Sequence, residues 1–323
     1  MYKIYDEWPE IAHLAYESQF EKIEEKNIDH IVFAGMGGSG SVGDVFTSIL
    51  SKNEIHISNV KGFHLPSTVN KNTLVITTSV SGNTLEALTI LKKAKKKECK
   101  MISFSSGGKM KNFCEKNKIN HKTIVQVHSP RASFPNYFYS MLNALEPILP
   151  TKKKDILDSI KQLEKLRKNI SSENLSSNNK SLDLANWIAA IPIIYYPYGL
   201  KAAAVRFKNS LQENAKMHTM TEDIVEGAHN GIVAWEKKSN VQPIIIQGKD
   251  DYLKTKQLQK IIMEYFKIQK IDFRVVSSPS GSILSKLIYL IYLLDYSSIY
   301  KAILNKTDPG PVRSIQFIKN KFV

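Results

Sequence analysis

Short apolar runs alternate along the chain with longer segments in which apolar residues recur every three to four positions. In the first half, the apolar runs predict strands at residues 31–34, 54–60, 73–78, 100–105 and 122–127. The helical spacing predicts helices at residues 6–26, 42–50, 85–97 and 134–149. Strands and helices that alternate in this way are typical of a parallel sheet with helices on both faces, whose site lies at the carboxyl ends of the strands.

The second half of the chain repeats this pattern. It predicts strands at residues 191–196, 241–247 and 271–277, and helices at residues 201–216, 252–267 and 282–300. Between the halves, residues 151–180 are rich in Lys, Ser and Asn, which favours a solvated helix and a flexible turn at residues 171–179. We therefore expect two similar doubly wound α/β domains in tandem, residues 1–150 and residues 151–323, with phosphate bound by the first.

Four glycines fall within the six residues after the first predicted strand, Gly35-Met-Gly-Gly-Ser-Gly40. A glycine loop between a strand and a helix turns free backbone N–H groups toward an anion and lets the ligand approach closely. Gly35, Gly37 and Gly40 also fit the G-x-G-x-x-G fingerprint of dinucleotide-binding proteins. That fingerprint expects an acidic residue about 20 positions on, and the second strand ends without one. We therefore expect neither a nicotinamide nor a flavin, nor any other cofactor.

A second glycine loop follows the strand at residues 73–78 and reads Ser79-Val-Ser81-Gly-Asn-Thr84. Its three hydroxyl side chains crowd the start of a predicted helix, where each can donate to a phosphate oxygen and the helix dipole adds to the attraction. One such hydroxyl alone would be read as an ordinary helix cap. Because a cap needs only one hydroxyl, the three together favour an anion site.

The formal net charge of +15 comes mostly from lysine, with basic runs at residues 92–100 and 152–154. These runs carry no interleaved aromatic residues, which favours solvated helix faces over a nucleic-acid surface. A positive field also attracts anionic small molecules such as phosphates.

Targeting signals and metal patterns are not recognisable in the sequence. No apolar run reaches 18 residues, and the first residues lack the apolar centre of a signal peptide, so we expect no membrane partner. Cys99 and Cys114 match neither a disulfide framework nor a metal-ligand spacing. A cytoplasmic location and a reaction without a metal are therefore expected.

Three side chains are candidates for chemistry, and each has an ordinary structural alternative. Arg131 follows the strand at residues 122–127, where a guanidinium can stabilise a developing oxyanion, or it is a surface arginine. Glu213 lies at the end of the helix at residues 201–216, and a lone Glu on a helix is usually solvated. His229 follows in the next segment, and a lone His is usually structural. The residue types alone leave these alternatives open.

Several sequence blocks together resemble a known family. GMGGSG followed by S-x-S-G-N-T is the signature of sugar isomerase (SIS) domains, which bind phosphorylated sugars. With P-R-A-S-F, L-x-E-N-A-K, E-x-x-H-N-x-I-x-x-W-E and a D-P-G-P block near the C-terminus, the chain resembles the bifunctional phosphoglucose/phosphomannose isomerases over nearly its whole length. The resemblance implies an aldose–ketose isomerase with two SIS-like domains, acting on sugar phosphates as a homodimer.

The resemblance also implies roles for individual residues. Glu213 would be the general base, and His229 would open the sugar ring in the neighbouring subunit's site, with Lys319 beside it. Arg131 would stabilise the intermediate. The phosphate ligands would be Gly37, Gly38, Ser39, Ser79, Ser81 and Thr84. Gly310 stands where many members carry Thr, so glucose 6-phosphate is expected to react faster than mannose 6-phosphate.

The residue types independently suit this reaction. Histidine titrates near neutrality and suits the proton exchange of ring opening. A carboxylate can move one proton between C2 and C1 through a cis-enediolate, whose negative charge a fixed cation stabilises.

Two other hypotheses remain. A regulator of the SIS type would bind the sugar phosphate without turnover, and is expected to carry a DNA-binding or nucleotide-binding module. An amino-sugar isomerase of the glucosamine-phosphate type is expected to carry a glutaminase domain with an N-terminal cysteine. The sequence shows neither feature, and a regulator leaves Glu213 and His229 unexplained, so the phosphoglucose/phosphomannose isomerase is favoured.

Overall fold

The computed structural model describes residues 1–322, which form two compact units. The N-terminal unit contains Ile4–Glu164 and Ser282–Leu287. The C-terminal unit contains Met1–Lys3, Lys165–Gly281 and the chain from Ile288 on.

The N-terminal unit is built on a parallel sheet whose strand order is β2-β1-β3-β4-β5 in the described chain. Its strands are β1 (His30–Ala34), β2 (His56–Val60), β3 (Thr73–Ser79), β4 (Lys100–Ser105) and β5 (Asn120–Thr123). Every residue of β1 and β3 is buried, as expected for central strands covered by helices on both faces. The strand order reverses at β1, because β2 lies on one side of it and β3 on the other, so a crevice opens at the carboxyl ends of β1 and β3, where ligands bind in sheets of this kind.

Helices cover both faces of this sheet. They are α1 (Tyr2–Asp6), α2 (Trp8–Tyr16), α3 (Gly37–Leu50), α4 (Leu85–Lys96), α5 (Gly108–Lys116), α6 (Phe134–Ala144) and α7 (Lys153–Ile170). Aromatic rings join α3 and α6 to the sheet: Phe33 stacks on Phe46 at 4.8 Å between ring centroids, and Phe46 contacts Phe138 at 5.1 Å. Burial of these large rings is a main source of stability in the unit.

Several predictions in this unit were wrong at their ends, among them the helix predicted at residues 134–149, which stops at Ala144. The helix predicted at residues 6–26 stops at Tyr16. The following segment is held against the end of α6 instead, where the backbone N–H of Ile23 donates to Ala144 O at 2.9 Å. The strand predicted at residues 122–127 is β5, which ends at Thr123, because only residues 120–123 pair with β4.

The C-terminal unit has a second parallel sheet, with the order β7-β6-β8-β9 among the described residues. Its strands are β6 (Ile191–Tyr196), β7 (Met220–Asp223), β8 (Val241–Gly248) and β9 (Arg274–Ser278). The sequence did not predict β7, a short edge strand without buried residues. The doubly wound α/β class predicted for both halves is therefore present, with one strand more than predicted in the second half.

The helices that lie in this unit, wholly or for most of their length, are α8 (Lys180–Trp187), α9 (Lys201–Ser210), α10 (Ile224–Gly227), α11 (Leu253–Ile268), α12 (Ile283–Leu304) and α13 (Arg313–Lys321). The sequence did not predict α8. It begins after Asn179, whose side chain accepts the backbone N–H of Leu182 at 2.9 Å and donates to the Tyr300 hydroxyl at 3.1 Å. The cap residue thus starts an unpredicted helix directly after the turn that was expected at residues 171–179.

Helix α12 is long and apolar enough to cross a membrane by length and composition. Of its most apolar window of 18 residues, 83% is buried inside the protein. A buried core helix passes the same test, so a single helix of this kind is weak evidence for a membrane.

Both cysteines lie in the N-terminal unit as buried free thiols. Cys99 precedes β4, and Cys114 lies in α5. Burial raises the pKa of each thiol above its ordinary value, so the reactive thiolate is disfavoured at neutral pH.

Candidate active site

The glycine run after β1 is the first turn of helix α3, which begins at Gly37. The prediction of a loop with a helix from residue 42 was therefore wrong at the helix start. Gly37 has φ +53°, a conformation that L side chains rarely adopt. A Cβ on Gly38 would lie 2.9 Å from the carbonyl oxygen of Pro130, so glycine is needed for this close approach.

The loop after β3, residues 79–84, carries the three hydroxyl side chains and is called the hydroxyl loop below. It lies beside the start of α3. Ser39 Oγ accepts the backbone N–H of Val80 at 3.1 Å, which ties the first turn of α3 to the loop. Ser79 Oγ and Thr84 Oγ1 are 2.8 Å apart, and Ser81 is exposed at the loop surface. The structure therefore brings the predicted phosphate ligands of both loops together within the N-terminal unit.

The N-termini of α3 and α4 are not closed by side chains within residues 1–322. Met36 and Thr84 occupy the N-cap positions, and neither makes a side-chain cap hydrogen bond. Thr84 Oγ1 is paired with Ser79 instead, which removes the helix-cap interpretation for this hydroxyl. Two neighbouring helix N-termini thus present backbone N–H groups and the positive ends of their dipoles to the same crevice, an arrangement suited to a phosphate.

A further loop, after β4, supports the hydroxyl loop, and the sequence did not predict this role. The Asn83 side chain accepts the backbone N–H of Lys109 at 3.0 Å and donates to Ser81 O at 3.0 Å. Gly82 has φ +68°, and a Cβ there would lie 1.8 Å from Gly107 O. These contacts fix the backbone that carries Ser81.

Arg131 lies in the segment between β5 and α6 and is only 5% exposed. Its backbone N would lie 3.3 Å from a Cβ built on Gly38, so this segment packs directly on the first turn of α3. Ser133 holds the segment in shape, since its Oγ accepts the backbone N–H of Val127 at 2.8 Å. The surface-arginine alternative is thereby excluded, because Arg131 is buried next to the glycine turn.

Glu213 belongs to the C-terminal unit and lies in the middle of a π-helical turn, Leu211–Ala215, that continues α9. Such turns are rare and occur frequently at functional sites. The turn ends at Lys216 with φ +56°, and Lys216 Nζ donates to Glu213 O at 2.5 Å and to Pro311 O at 2.7 Å. The D-P-G-P block that contains Gly310 is thus bound to the end of the Glu213 turn.

His229 follows α10 in an exposed turn. This turn packs over a carboxyl group: a Cβ on Gly231 would lie 2.5 Å from Glu222 Oε2. Burial raises the pKa of Glu222, while its hydrogen bond with Tyr195 acts in the opposite direction. The Tyr195 hydroxyl also accepts Trp235 Nε1–H at 2.9 Å. Burial raises the pKa of Tyr195 to about 12.

Lys319 lies on α13, whose residues are all exposed. The apolar side chains Ile315 and Ile318 lie three residues apart along it, and Ile318 is 63% exposed. Within residues 1–322 there is no group of three or more His, Cys, Asp or Glu side chains that could hold a metal ion.

Comparison with known proteins identifies the class. Residues 24–145 match the SIS domain family, and residues 177–322 match the bacterial phospho-glucose isomerase C-terminal SIS domain family. The fold also resembles the solved C-terminal domain of glucosamine-fructose-6-phosphate aminotransferase from Francisella tularensis, with a TM-score of 0.72 and 16% identity over 96% of this chain and 97% of that one. The chain is thus a protein with two SIS domains, which confirms the predicted fold class.

Two curated relatives define the family more narrowly. A bifunctional phosphoglucose/phosphomannose isomerase of Caldicellulosiruptor bescii is 31% identical, over 97% of this chain and 96% of the relative. A protein of the same name from Thermoplasma volcanium is 28% identical, over 97% of this chain and 98% of the relative. The chain belongs to the bifunctional phosphoglucose/phosphomannose isomerase family, as the sequence motifs indicated.

Proposed function

We propose that this protein is a cytoplasmic aldose–ketose isomerase that interconverts glucose 6-phosphate, and also mannose 6-phosphate, with fructose 6-phosphate. The observation that carries the proposal is the pair of helix N-termini, α3 and α4, that meet without side-chain caps in a chain of this family. They give the site an affinity for the phosphate group. That group is remote from the reacting carbons, so its binding energy can hold C1 and C2 in position for reaction.

The chemical steps are assigned to four side chains that the family resemblance singles out. His229 exchanges protons between the ring oxygen and the C1 hydroxyl, which opens the sugar, and Lys319 assists beside it. Glu213 removes the proton from C2 and returns it to C1 on the same face. The cis-enediolate formed between these steps carries negative charge, which the Arg131 guanidinium stabilises. The phosphate is held by Gly37, Gly38, Ser39, Ser79, Ser81 and Thr84.

The active form is proposed to be a homodimer in which His229 of each subunit completes the other subunit's site. Two features of the described chain support this. His229 lies in an exposed turn, and the apolar side chains of Ile318 on α13 and of Phe322 directly after it are exposed. A second copy of the chain would cover this apolar surface, and a two-fold axis would make the exchange of histidines mutual.

The test is direct assay of the purified protein with each sugar phosphate, together with Glu213→Gln. The variant keeps the shape of the side chain and cannot take up a proton, so kcat is expected to fall by about three orders of magnitude or more, with KM nearly unchanged. Exchange of the C2 proton with deuterated solvent should disappear with it.

Glu264→Gln, on the exposed surface of α11, is the matched control and should retain wild-type activity. A Glu213→Gln enzyme that retains more than about a tenth of wild-type kcat would remove Glu213 from the role of base. Wild-type protein that binds glucose 6-phosphate without turnover would favour the SIS regulator instead.

A further inference from the structure

A buried polar network fastens the helix that carries Glu213 to helix α12. The Arg206 guanidinium on α9 donates from Nε and Nη2 to Asp295 Oδ2 at 2.9 Å and 2.6 Å. The other carboxylate oxygen, Asp295 Oδ1, accepts the Ser210 hydroxyl at 2.8 Å. Asp295 is 0% exposed and Arg206 is 2% exposed, so this ion pair is fully removed from water.

A second polar contact joins the same two helices one turn further on. The Asn214 side chain donates to Ser298 Oγ at 2.8 Å, and Ser298 Oγ donates to Asp295 O at 2.6 Å. Asp295 and Ser298 are three residues apart on α12 and therefore lie on one face of that helix. All the side chains of the network belong to the C-terminal unit.

The Ser210–Asp295 and Asn214–Ser298 contacts lie at the two ends of the π turn at Leu211–Ala215. Ser210 is the residue before the turn, and Asn214 is next to Glu213 within it. A π turn departs from the usual helical hydrogen bonding, so its shape depends on support from outside the helix. Here that support reaches the turn on both sides of Glu213.

Stability alone does not explain a charged pair at this place. Burial of two charges has a large desolvation cost, and well-packed apolar residues of similar volume are often equally stable or more stable. The residues near Asp295 along α12 are mostly apolar, and Leu293, Leu294 and Ile299 among them are buried. What the ion pair adds is direction, because two N–H groups of one planar guanidinium converge on Asp295 Oδ2 while Ser210 occupies Oδ1, which restricts how α9 can rotate relative to α12.

We propose that Arg206, Asp295 and Ser210, together with Asn214 and Ser298, are positioning residues that hold the π turn so that the Glu213 carboxylate faces the C2 proton of the substrate. This inference rests on the proposed isomerase function, because Glu213 is the base of that reaction. A displacement of about 1 Å at a reacting group can lower a rate about a hundredfold. The network therefore acts on kcat and leaves the phosphate contacts of the N-terminal unit unchanged.

The decisive variant replaces the ion pair by apolar residues, Arg206→Met with Asp295→Leu. We expect a melting temperature equal to or above that of the wild type, a KM for fructose 6-phosphate within about twofold of the wild type, and a kcat lowered about 10- to 100-fold. Solvent exchange at C2 should fall in parallel with kcat. A residue that only stabilised the fold would lower the melting temperature and leave kcat per folded molecule unchanged.

Tyr300→Phe is the matched control. The Tyr300 hydroxyl is also a buried polar group of α12, and it donates to Ile170 O and Ser171 O at 2.9 Å each, away from the π turn. This variant should lose stability while its kcat stays within about twofold of the wild type.

Single substitutions at Ser298 decide the question if the double variant does not fold. Ser298→Ala removes the hydroxyl that receives Asn214 and should lower kcat at unchanged KM, whereas Ser298→Thr keeps the hydroxyl and should restore kcat. A folded double variant, or Ser298→Ala, with wild-type kcat overturns the positioning role alone, provided that Glu213→Gln is inactive. An inactive wild-type protein, or an active Glu213→Gln, overturns the proposed function and this inference with it.

Discussion

Ser81→Ala is a sharp test of the phosphate site, because the structure separates its binding effect from its effect on stability. Ser81 is exposed, and its Oγ takes part in one long hydrogen bond, in which it accepts the backbone N–H of Asn83 at 3.3 Å. Loss of an exposed contact of this kind changes the free energy of unfolding by about 0.5 kcal/mol or less. The loop backbone stays fixed by the Asn83 side chain and Lys109 N–H.

The expected loss of affinity is much larger. The Ser81 hydroxyl would donate to a charged phosphate oxygen, and hydrogen bonds to charged groups are worth about 1.5–3 kcal/mol. At about 1.4 kcal/mol for each factor of ten, the dissociation constant for glucose 6-phosphate should rise about 10- to 150-fold. Unphosphorylated glucose has no phosphate group for Ser81 to contact. It should therefore bind weakly, and with the same affinity to the wild type and to Ser81→Ala.

Titration calorimetry with glucose 6-phosphate, inorganic phosphate and glucose measures these differences, and a thermal melt of each variant measures stability. Ser51→Ala is the matched control, since Ser51 is an exposed serine just after the other end of α3, with its hydroxyl donating to Ser48 O at 2.9 Å. Ser51→Ala should change neither the affinity for glucose 6-phosphate nor the melting temperature. The reasoning is refuted if Ser81→Ala binds glucose 6-phosphate within about twofold of the wild type at an unchanged melting temperature.

Three further predictions concern other parts of the molecule. Burial raises the folded-state pKa of Glu222, so the folded protein holds that proton more tightly than the unfolded chain does, and wild-type stability should fall as the pH rises from about 4.5 through the raised pKa. Glu222→Gln should remove this decline in urea titrations across that pH range. Gly310→Thr should raise the mannose-to-glucose rate ratio in parallel assays, and an unchanged ratio would show that this position does not control it. Co-expression of Glu213→Gln with His229→Ala should restore activity in about a quarter of all sites, because one site of each mixed dimer carries neither defect. Differentially tagged mixed dimers without activity would place His229 in the site of its own subunit.

Buried strands were predictable from the sequence, and the edge strands β2 and β9 also lie near their predicted ranges, but the edge strand β5 was displaced and β7 was missed. Residues 100–105 and 191–196 were predicted with the bounds of β4 and β6. An interior strand of a parallel sheet is covered by helices and therefore shows an uninterrupted apolar run. The edge strands β5 and β7 are short and half-exposed, with sequences NHKT and MTED, so no apolar run marks them. Their pairing with a neighbour defines them, and that pairing is invisible in local sequence.

The candidate site shows the same division between local and distant signals. The hydroxyls of residues 79–84 and the glycines of residues 35–40 were visible because they are concentrated in short segments. The start of α3 at Gly37 was missed because glycine disfavours helices, and here the contact with the Pro130 segment outweighs that preference. Arg206 and Asp295 are 89 residues apart in sequence, and no sequence pattern in either helix predicts their contact.

The two buried thiols offer a way to watch the N-terminal unit open without any substitution. A thiol reagent reacts with the thiolate of an accessible cysteine, so Cys99 and Cys114 can be labelled only while the structure around them is transiently unfolded. If the edge of the sheet near β4 and α5 opens as one cooperative piece, both sulfurs will be labelled at the same rate. If α5 detaches alone, Cys114 will be labelled first. Because the full sequence has two cysteines, both in this unit, the labelling kinetics report on the N-terminal unit separately from the unit that carries Glu213.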